Sequence, residues 1–173
     1  MYETHYPDKR FRITVAFVNK HLPKHATILD LGVTNPLGEM LKKDYTVINT
    51  SGEDLDKNQE ALIQKTEAVT AFEIVEHLLN PYTVLTAVRA DKLFISVPIR
   101  LWFASAYRSR TDIWDRHYHE FETWQLDWLL EKTGWQIQDK LTFTHPIKRI
   151  GLRPFLRLFT PRYYLVYATR KRS

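Results

Sequence analysis

Glu73, Glu76 and His77 stand at i, i+3 and i+4, so a helical turn would place them on one face. Two carboxylates and an imidazole converging in this way can hold a hard or borderline divalent ion such as Mg2+ or Mn2+, with a fourth ligand from His117 or His119. Without a metal, His77 or His119 is suited to take a hydroxyl proton near neutral pH, because a neutral imidazole is a base there. A second candidate site lies at Asp30 and Gly32, which close the apolar run from Ala26. Glycine lets a backbone approach a ligand, and a helix starting near Pro36 offers free N–H groups. Thr34 and Asn35, in the turn between, can donate hydrogen bonds. The plain alternative is that Asp30 and Gly32 merely cap and make the turn.

All five tryptophans fall between Trp102 and Trp135, with Arg100, Arg108, Arg110 and Arg116 among them. Aromatic faces beside guanidiniums can stack a base, a sugar or an aromatic ring. Trp102, Tyr107 and Trp114 lie in an irregular stretch and are the acceptor candidates. Trp124 and Trp128, four apart in a predicted helix, are read as core.

These residues need elements to position them. Phe11, Val15, Val18 and Leu22 step at helical spacing, and Pro23 ends that helix. Ala26–Gly32, Tyr45–Thr50, Ala68–Phe72 and Lys92–Pro98 read as strands, and Ser51–Asn58 as a polar loop. Pro36 opens a short helix running to about Lys43, and Asn80-Pro81 caps another with Val84, Leu85 and Val88 on one face. Thr123 is the expected cap of a helix over 124–133, which Gly134 terminates. Trp135–Phe143 and Tyr163–Thr169 finish the chain as alternating strands. Strands alternating with helices, then a final strand pair, imply an α/β layered fold with a mainly parallel sheet. In such sheets ligands bind at the carboxyl edge, which is where the loops after Leu31, Ile48, Phe72 and Val97 lie.

At 173 residues the expectation is one domain, with an N-terminal helix over 1–25, a cofactor half over 26–99 and an acceptor-facing half over 100–173. The absence of cysteine excludes disulfides, thiolate metal sites and a cysteine nucleophile. No apolar run approaches the roughly 18–20 residues of a membrane span, and the N-terminus lacks a signal peptide's apolar segment, so the expected location is cytoplasmic. The net charge of +5 conceals an asymmetry. Nine Lys/Arg and no Asp/Glu lie between Lys140 and Ser173, leaving −4 on the first 139 residues. Such a basic region suits an anionic partner, RNA or lipid headgroups, or else simply keeps the surface soluble. Residues 147–164 mix arginines with Phe155, Leu156, Leu158 and Phe159. They read as a connection covering the sheet, with an amphipathic patch on lipid or a partner as the alternative.

Taken in order, four motifs resemble the class I S-adenosylmethionine-dependent methyltransferases, in particular the branch with a Glu-His-Leu motif. They are Ile28-Leu-Asp-Leu-Gly32, Phe72-Glu-Ile-Val-Glu-His-Leu78 with Asn80-Pro81, Phe94-Ile-Ser-Val-Pro98, and His117-Tyr-His-Glu-Phe121 before a Trp-rich helix. The likeness spans about Ala26 to Thr169. It implies a Rossmann-like, mainly parallel sheet with helices on both faces and a C-terminal antiparallel strand pair. It also implies S-adenosylmethionine as cofactor and methyl transfer to an oxygen or nitrogen of a small or carbohydrate-like acceptor. Asp30 and Gly32 would line the methionine end and Phe72 would lie beside the sulfonium. The end of the second strand would hold the ribose, and Glu76, His77 and His119 would face the acceptor.

The chain departs from that pattern in three places. After Gly32 the glycine-rich loop is thinned to Val33-Thr34-Asn35-Pro36. Asn49 and Thr50 replace the expected ribose acid, and the nearest carboxylates are Asp54 and Asp56. Only 17 residues separate Thr50 from Ala68, too few for the usual helix, strand and helix, so the fold should be abbreviated there. These departures motivate a rival reading, a methyltransferase-like binding module that docks an anionic partner through its basic region. A third reading follows from the pairing of Glu-x-x-Glu-His with His119-Glu-Phe-Glu122, which resembles the small-RNA 3′-terminal 2′-O-methyltransferases. It implies a divalent ion on Glu73, Glu76, His77 and His119. In metal-independent relatives the Glu-His-Leu segment only shapes the cofactor pocket.

Overall fold

A computed structural model of the chain describes residues 8–144 and 150–171. The elements in order are α1 (Asp8–His21), β1 (Thr27–Asp30), α2 (Pro36–Leu41), β2 (Thr46–Asn49), β3 (Ala68–Phe72), α3 (Pro81–Ala87), β4 (Lys92–Pro98), α4 (Thr123–Lys132), β5 (Trp135–Phe143), α5 (Leu152–Phe159) and β6 (Tyr163–Arg170). Short 3-10 turns lie at Glu60–Ile63 and Val75–His77.

The six strands form one sheet in the order β2-β1-β3-β4-β6-β5. β2, β1, β3 and β4 run parallel, while β6 is antiparallel to both β4 and β5. The period-2 alternation of strands explains why both faces must be covered. Ile28 and Phe94 face the layer built by Phe17 and Val18 of α1 and by Leu22 just after it. Their neighbours Leu29, Leu93 and Ile95 face Val84 and Leu85 of α3 and Leu126 and Leu130 of α4. Trp135, 1% exposed, fills the join between α3 and the last strands. Its Nε1 donates to the Leu85 carbonyl at 3.1 Å, and the Arg170 guanidinium lies 4.0 Å from its ring.

The mainly parallel core and the C-terminal antiparallel pair are those expected from the sequence. The stretch between Thr50 and Ala68 carries only one 3-10 turn, as the residue count requires. Other expectations are corrected. α2 ends at Leu41, not Lys43. Glu122, not Thr123, is the N-cap of α4, its N–H donating to Gln125 Oε1 at 2.8 Å. Trp124 and Trp128 are 46% and 66% exposed and pack on each other, centroids 4.7 Å apart. Leu126 and Leu130, with the same four-residue step on the opposite face, take the core. α5 does not cover the sheet: Leu152, Phe155 and Phe159 are 76%, 56% and 73% exposed. Lys148, Arg149 and Arg172 of the basic region lie outside the described residues. No helix among the described residues is long and apolar enough to cross a membrane.

Candidate functional site

A two-part cleft opens where β1, β2 and β3 end. One part, about 590 Å³, is lined by Asp30, Gly32, Asn35 and Phe72 together with Glu73 and His77. The other, about 540 Å³, is lined by Glu53, Asp54 and Leu78 among others. Gly32, Gly52, Ile74, His77 and Trp114 border both.

β1 delivers Asp30 to the cleft edge. Its carboxylate is 4% exposed and accepts from Thr70 Oγ1 at 2.5 Å and Asn49 Nδ2 at 3.0 Å. Burial raises its pKa to about 6, against the opposing pull of Thr70, Asn49 and the charge of Lys42. Gly38, in the first turn of α2, packs so close that a Cβ there would lie 3.4 Å from Asp30 Oδ2. Gly32 turns the chain at φ +114°, a conformation that L side chains rarely adopt, and donates its N–H to Thr50 Oγ1 at 2.6 Å. The start of α2 does not offer free donors: Asn35 Oδ1 accepts from Leu37 and Gly38 N–H, both at 3.0 Å. Asn49 is likewise occupied, since its Nδ2 also approaches the Gly32 carbonyl at 3.3 Å while its Oδ1 accepts from Thr34 Oγ1 at 3.2 Å. Thr34 and Asn49 therefore brace the turn from behind. Asp54 reaches the second part of the cleft but pairs with Lys57 at 3.0 Å. Asp56 caps the Leu79 and Asn80 N–H groups, both at 2.8 Å.

The Glu-His segment begins with a strained residue, because Glu73 has φ +56°. The 3-10 turn starts after it, so Glu73 and Glu76 diverge from the shared helical face. Glu73 receives Ser96 Oγ at 2.8 Å and pairs with Arg10 of α1 at 3.0 Å. Burial pushes the Glu73 carboxyl upward, with the Arg10 charge opposing it. Glu76 is 1% exposed and neither carboxylate oxygen has a hydrogen-bond partner. Burial first, and then the Glu73 charge, hold its carboxyl well above the ordinary glutamate value. His77 Nδ1 lies 3.0 Å from the Arg116 carbonyl. Donation to that carbonyl places the hydrogen on Nδ1 and leaves Nε2, 3.9 Å from Glu76 Oε1, as the basic atom.

The histidine that joins this pair is His117. Its ring centroid is 4.6 Å from that of His77, and ligand atoms of Glu76, His77 and His117 lie within 4.8 Å of one another. Burial and the neighbouring His77 lower the His117 pKa to about 4. His119 approaches the Leu79 carbonyl instead, at 3.4 Å. The choice follows from register: Tyr118 and His119 N–H both donate to the Glu76 carbonyl, at 2.8 and 3.2 Å. Of the loop aromatics, Trp114 lines the cleft, Tyr107 packs on His117 at 4.6 Å, and Trp102 is 75% exposed against Phe103.

No family model matches the chain, and no curated protein matches it. Solved structures do. A Burkholderia thailandensis 1,6-didemethyltoxoflavin-N1-methyltransferase with bound 1,6-didemethyltoxoflavin and S-adenosylhomocysteine matches at TM-score 0.67 and 17% identity, over 96% of this chain and 84% of that one. A Listeria monocytogenes protein described as a putative S-adenosylmethionine-dependent methyltransferase matches at 0.59 and 13%, over 92% and 98%. A cyclase, SpnF, matches at 0.61 and 11%, over 99% and 84%. The chain has the class I methyltransferase fold. Within that fold the cleft lies at the carboxyl edge of the parallel strands, and the expected Asp30, Gly32, Asn35 and Phe72 share one part of it. Arg10 and Ser96 are the site residues that sequence reasoning missed. Arg10 carries no local signal, because it reaches Glu73 from an element 63 positions away.

Proposed function

We propose that this chain is an S-adenosylmethionine-dependent methyltransferase acting on an oxygen or nitrogen of a small acceptor. The observation that carries the reading is a buried carboxylate, Asp30, at a glycine turn in a cleft large enough for a nucleoside joined to an amino acid. The residues fit the cofactor. Asp30 complements an ammonium group, the Gly32 backbone allows close approach, and Phe72 and Ile74 supply apolar wall. When bound, S-adenosylmethionine supplies a methyl group on a positively charged sulfur. The protein's part is to align the acceptor, exclude water and hold its proton. His77 Nε2 would take that proton, a role supported by the Nδ1 contact with the Arg116 carbonyl. The chain reads as a single domain with Asp54 or Glu53 available to the ribose end. Calorimetry with S-adenosylhomocysteine tests the reading: one saturable site is expected, weakened at least tenfold by Asp30→Ala. Absence of saturation at millimolar ligand refutes it. Saturable binding without methyl transfer to any small-molecule panel would favour the non-catalytic binding module.

The group of Glu76, His77 and His117 favours a second reading, in which a divalent cation helps orient the acceptor. This donor set differs from the expected Glu73, Glu76, His77 and His119, because Glu73 is occupied by Arg10 and Ser96. Two imidazoles suit Mn2+ better than Mg2+, and the Nδ1–H of His77 on a backbone carbonyl is the usual support for a metal-bound Nε2. The cation would lower the pKa of an attacking hydroxyl. Elemental analysis and chelation decide it: a metal-free protein that binds no Mn2+ in titration sinks this reading and leaves the first intact.

A further inference from the structure

A separate cavity of about 550 Å³ lies between the segment after β4 and the face of α5. Four arginines line it: Arg108, Arg153, Arg157 and Arg162. None of the four makes an ion pair among the described residues. Among the described residues Glu120 is the one carboxylate in the lining, and its Oε1 accepts from the Tyr107 N–H at 2.6 Å. Arg153 and Arg157 are four apart on α5 and share a face, a like-charge arrangement that opposes helix formation. Arg157 Nε is buried without a hydrogen-bond partner. Burial lowers the Arg157 pKa, and the charges of Arg162 and Arg153 lower it further. Arg162 is held rigidly, its Nη1 donating to the Ile99 carbonyl at 2.6 Å. Unpaired guanidiniums crowded around a hollow are unfavourable until an anion enters. Their planar forks match the oxygens of phosphate, which accepts two parallel hydrogen bonds from each. Four such charges against one carboxylate exceed what a single carboxylate ligand can neutralise.

The cavity adjoins the cleft. Tyr163 lines the cavity, and the Arg10 guanidinium, paired with Glu73 of the cleft, lies 5.0 Å from its ring. Tyr107 lines the cavity too and packs on His117 beside His77. We propose that this arginine cavity binds the phosphate or diphosphate group of the acceptor, so that the acceptor is a phosphorylated molecule whose reacting atom reaches His77. That assignment of the anion as acceptor rests on the methyltransferase reading; the anion site itself does not.

The phosphate could belong to a soluble phosphomonoester or to a lipid headgroup, and the outward apolar face of α5 makes the lipid arm worth measuring. Calorimetry with inorganic pyrophosphate, and cosedimentation with phosphatidylcholine vesicles with and without phosphatidic acid, separate the two. Saturable pyrophosphate binding, weakened about 10- to 100-fold by the double change Arg153→Gln/Arg157→Gln, supports the site, the range being that for loss of charge-assisted hydrogen bonds. Arg157→Lys, which keeps the charge and loses the fork, should fall between. Binding to phosphatidic acid vesicles alone, abolished by the same double change, supports it with a lipid source. Thermal melting and S-adenosylhomocysteine affinity should stay within twofold or a few degrees in these variants, showing an intact fold. Binding of neither probe, or equal binding by the double variant, overturns the proposal. Pyrophosphate binding in a protein that never binds S-adenosylhomocysteine keeps the anion site and removes the methyltransferase reading.

Discussion

The carboxyl of Asp30 makes the stability of this protein depend on pH in an unusual direction. Its pKa is 3.8 as an ordinary aspartate and about 6 in the fold. Between those values the folded chain binds more protons than the unfolded one, so stability must fall as pH rises through that window. The gap corresponds to about 3 kcal/mol at 1.36 kcal/mol per pH unit. The stabilisation is fully present below 3.8 and lost above about 6. The test compares wild type with Asp30→Asn by urea denaturation from about pH 4 to about pH 7. The amide keeps the shape but cannot ionise. It also sets its own NH2 against the Asn49 NH2 or the Thr70 hydroxyl, which adds a roughly constant offset of about 1 kcal/mol. Other groups titrate in both proteins and cancel in the difference. The variant should therefore gain about 3 kcal/mol on wild type across the window. A difference that stays flat within about 0.5 kcal/mol would refute the burial account. The ligand counterpart has the opposite slope: an ammonium group beside Asp30 favours the ionised form, so S-adenosylhomocysteine affinity should rise with pH up to about 6 and then level off.

Gly32→Ala should cost about 1–2 kcal/mol in denaturation, because φ +114° is strained for alanine, and should weaken S-adenosylhomocysteine binding in calorimetry. Its Cβ would meet Ile74 Cδ1 at 3.4 Å, on the wall that both parts of the cleft share. Arg10→Ala should destabilise by about 3 kcal/mol, since it leaves Glu73 without its 3.0 Å ion pair, and adding Glu73→Gln should restore more than half of that in a double-mutant cycle. Trp135→Ala should cost about 3–5 kcal/mol in urea melts, the loss for a large ring buried in the core, whereas exposed Trp128→Ala should cost under about 0.5 kcal/mol.

The parallel core was legible because its strands are short apolar runs bounded by turn residues, and buried parallel strands require that pattern. The Asp30–Gly32 turn was legible for the same reason: the run ends abruptly in a carboxylate and a glycine. What failed was anything decided by a partner remote in sequence. Trp124 and Trp128 share the four-residue step of Leu126 and Leu130, so periodicity alone admits either face. The sheet accepts the leucines. His117 and His119 both lie in an irregular segment with no period at all, and the Glu76 carbonyl fixes which one turns toward His77. Asn35, a candidate donor to a ligand, is lost for a local reason: its Nδ2 turns back to the Val33 carbonyl at 3.3 Å while its Oδ1 accepts from two N–H groups of α2. Polar residues near a turn satisfy the backbone first, and only the remaining capacity is free for a ligand.

Three locally unfavourable features lie in or beside this cleft. Asp30 ionises while buried, Glu73 holds φ +56°, and Glu76, next to His77, is enclosed with neither oxygen bonded. A residue with a side chain in the left-handed region costs about 1–2 kcal/mol, and an unsatisfied buried polar group about 1–3 kcal/mol. Two buried threonines away from the cleft are satisfied at short range: Thr66 by the Ala68 carbonyl, and Thr133 by the carbonyls of Leu129 and Leu130. A module that only docked a partner through its basic region would gain nothing from a buried glutamate with neither oxygen bonded. Glutamine or leucine at 76 would serve the fold better. Strain and perturbed acidity gathered at the ends of β1 and β3, where parallel sheets bind their ligands, support the proposed methyltransferase site over the docking module.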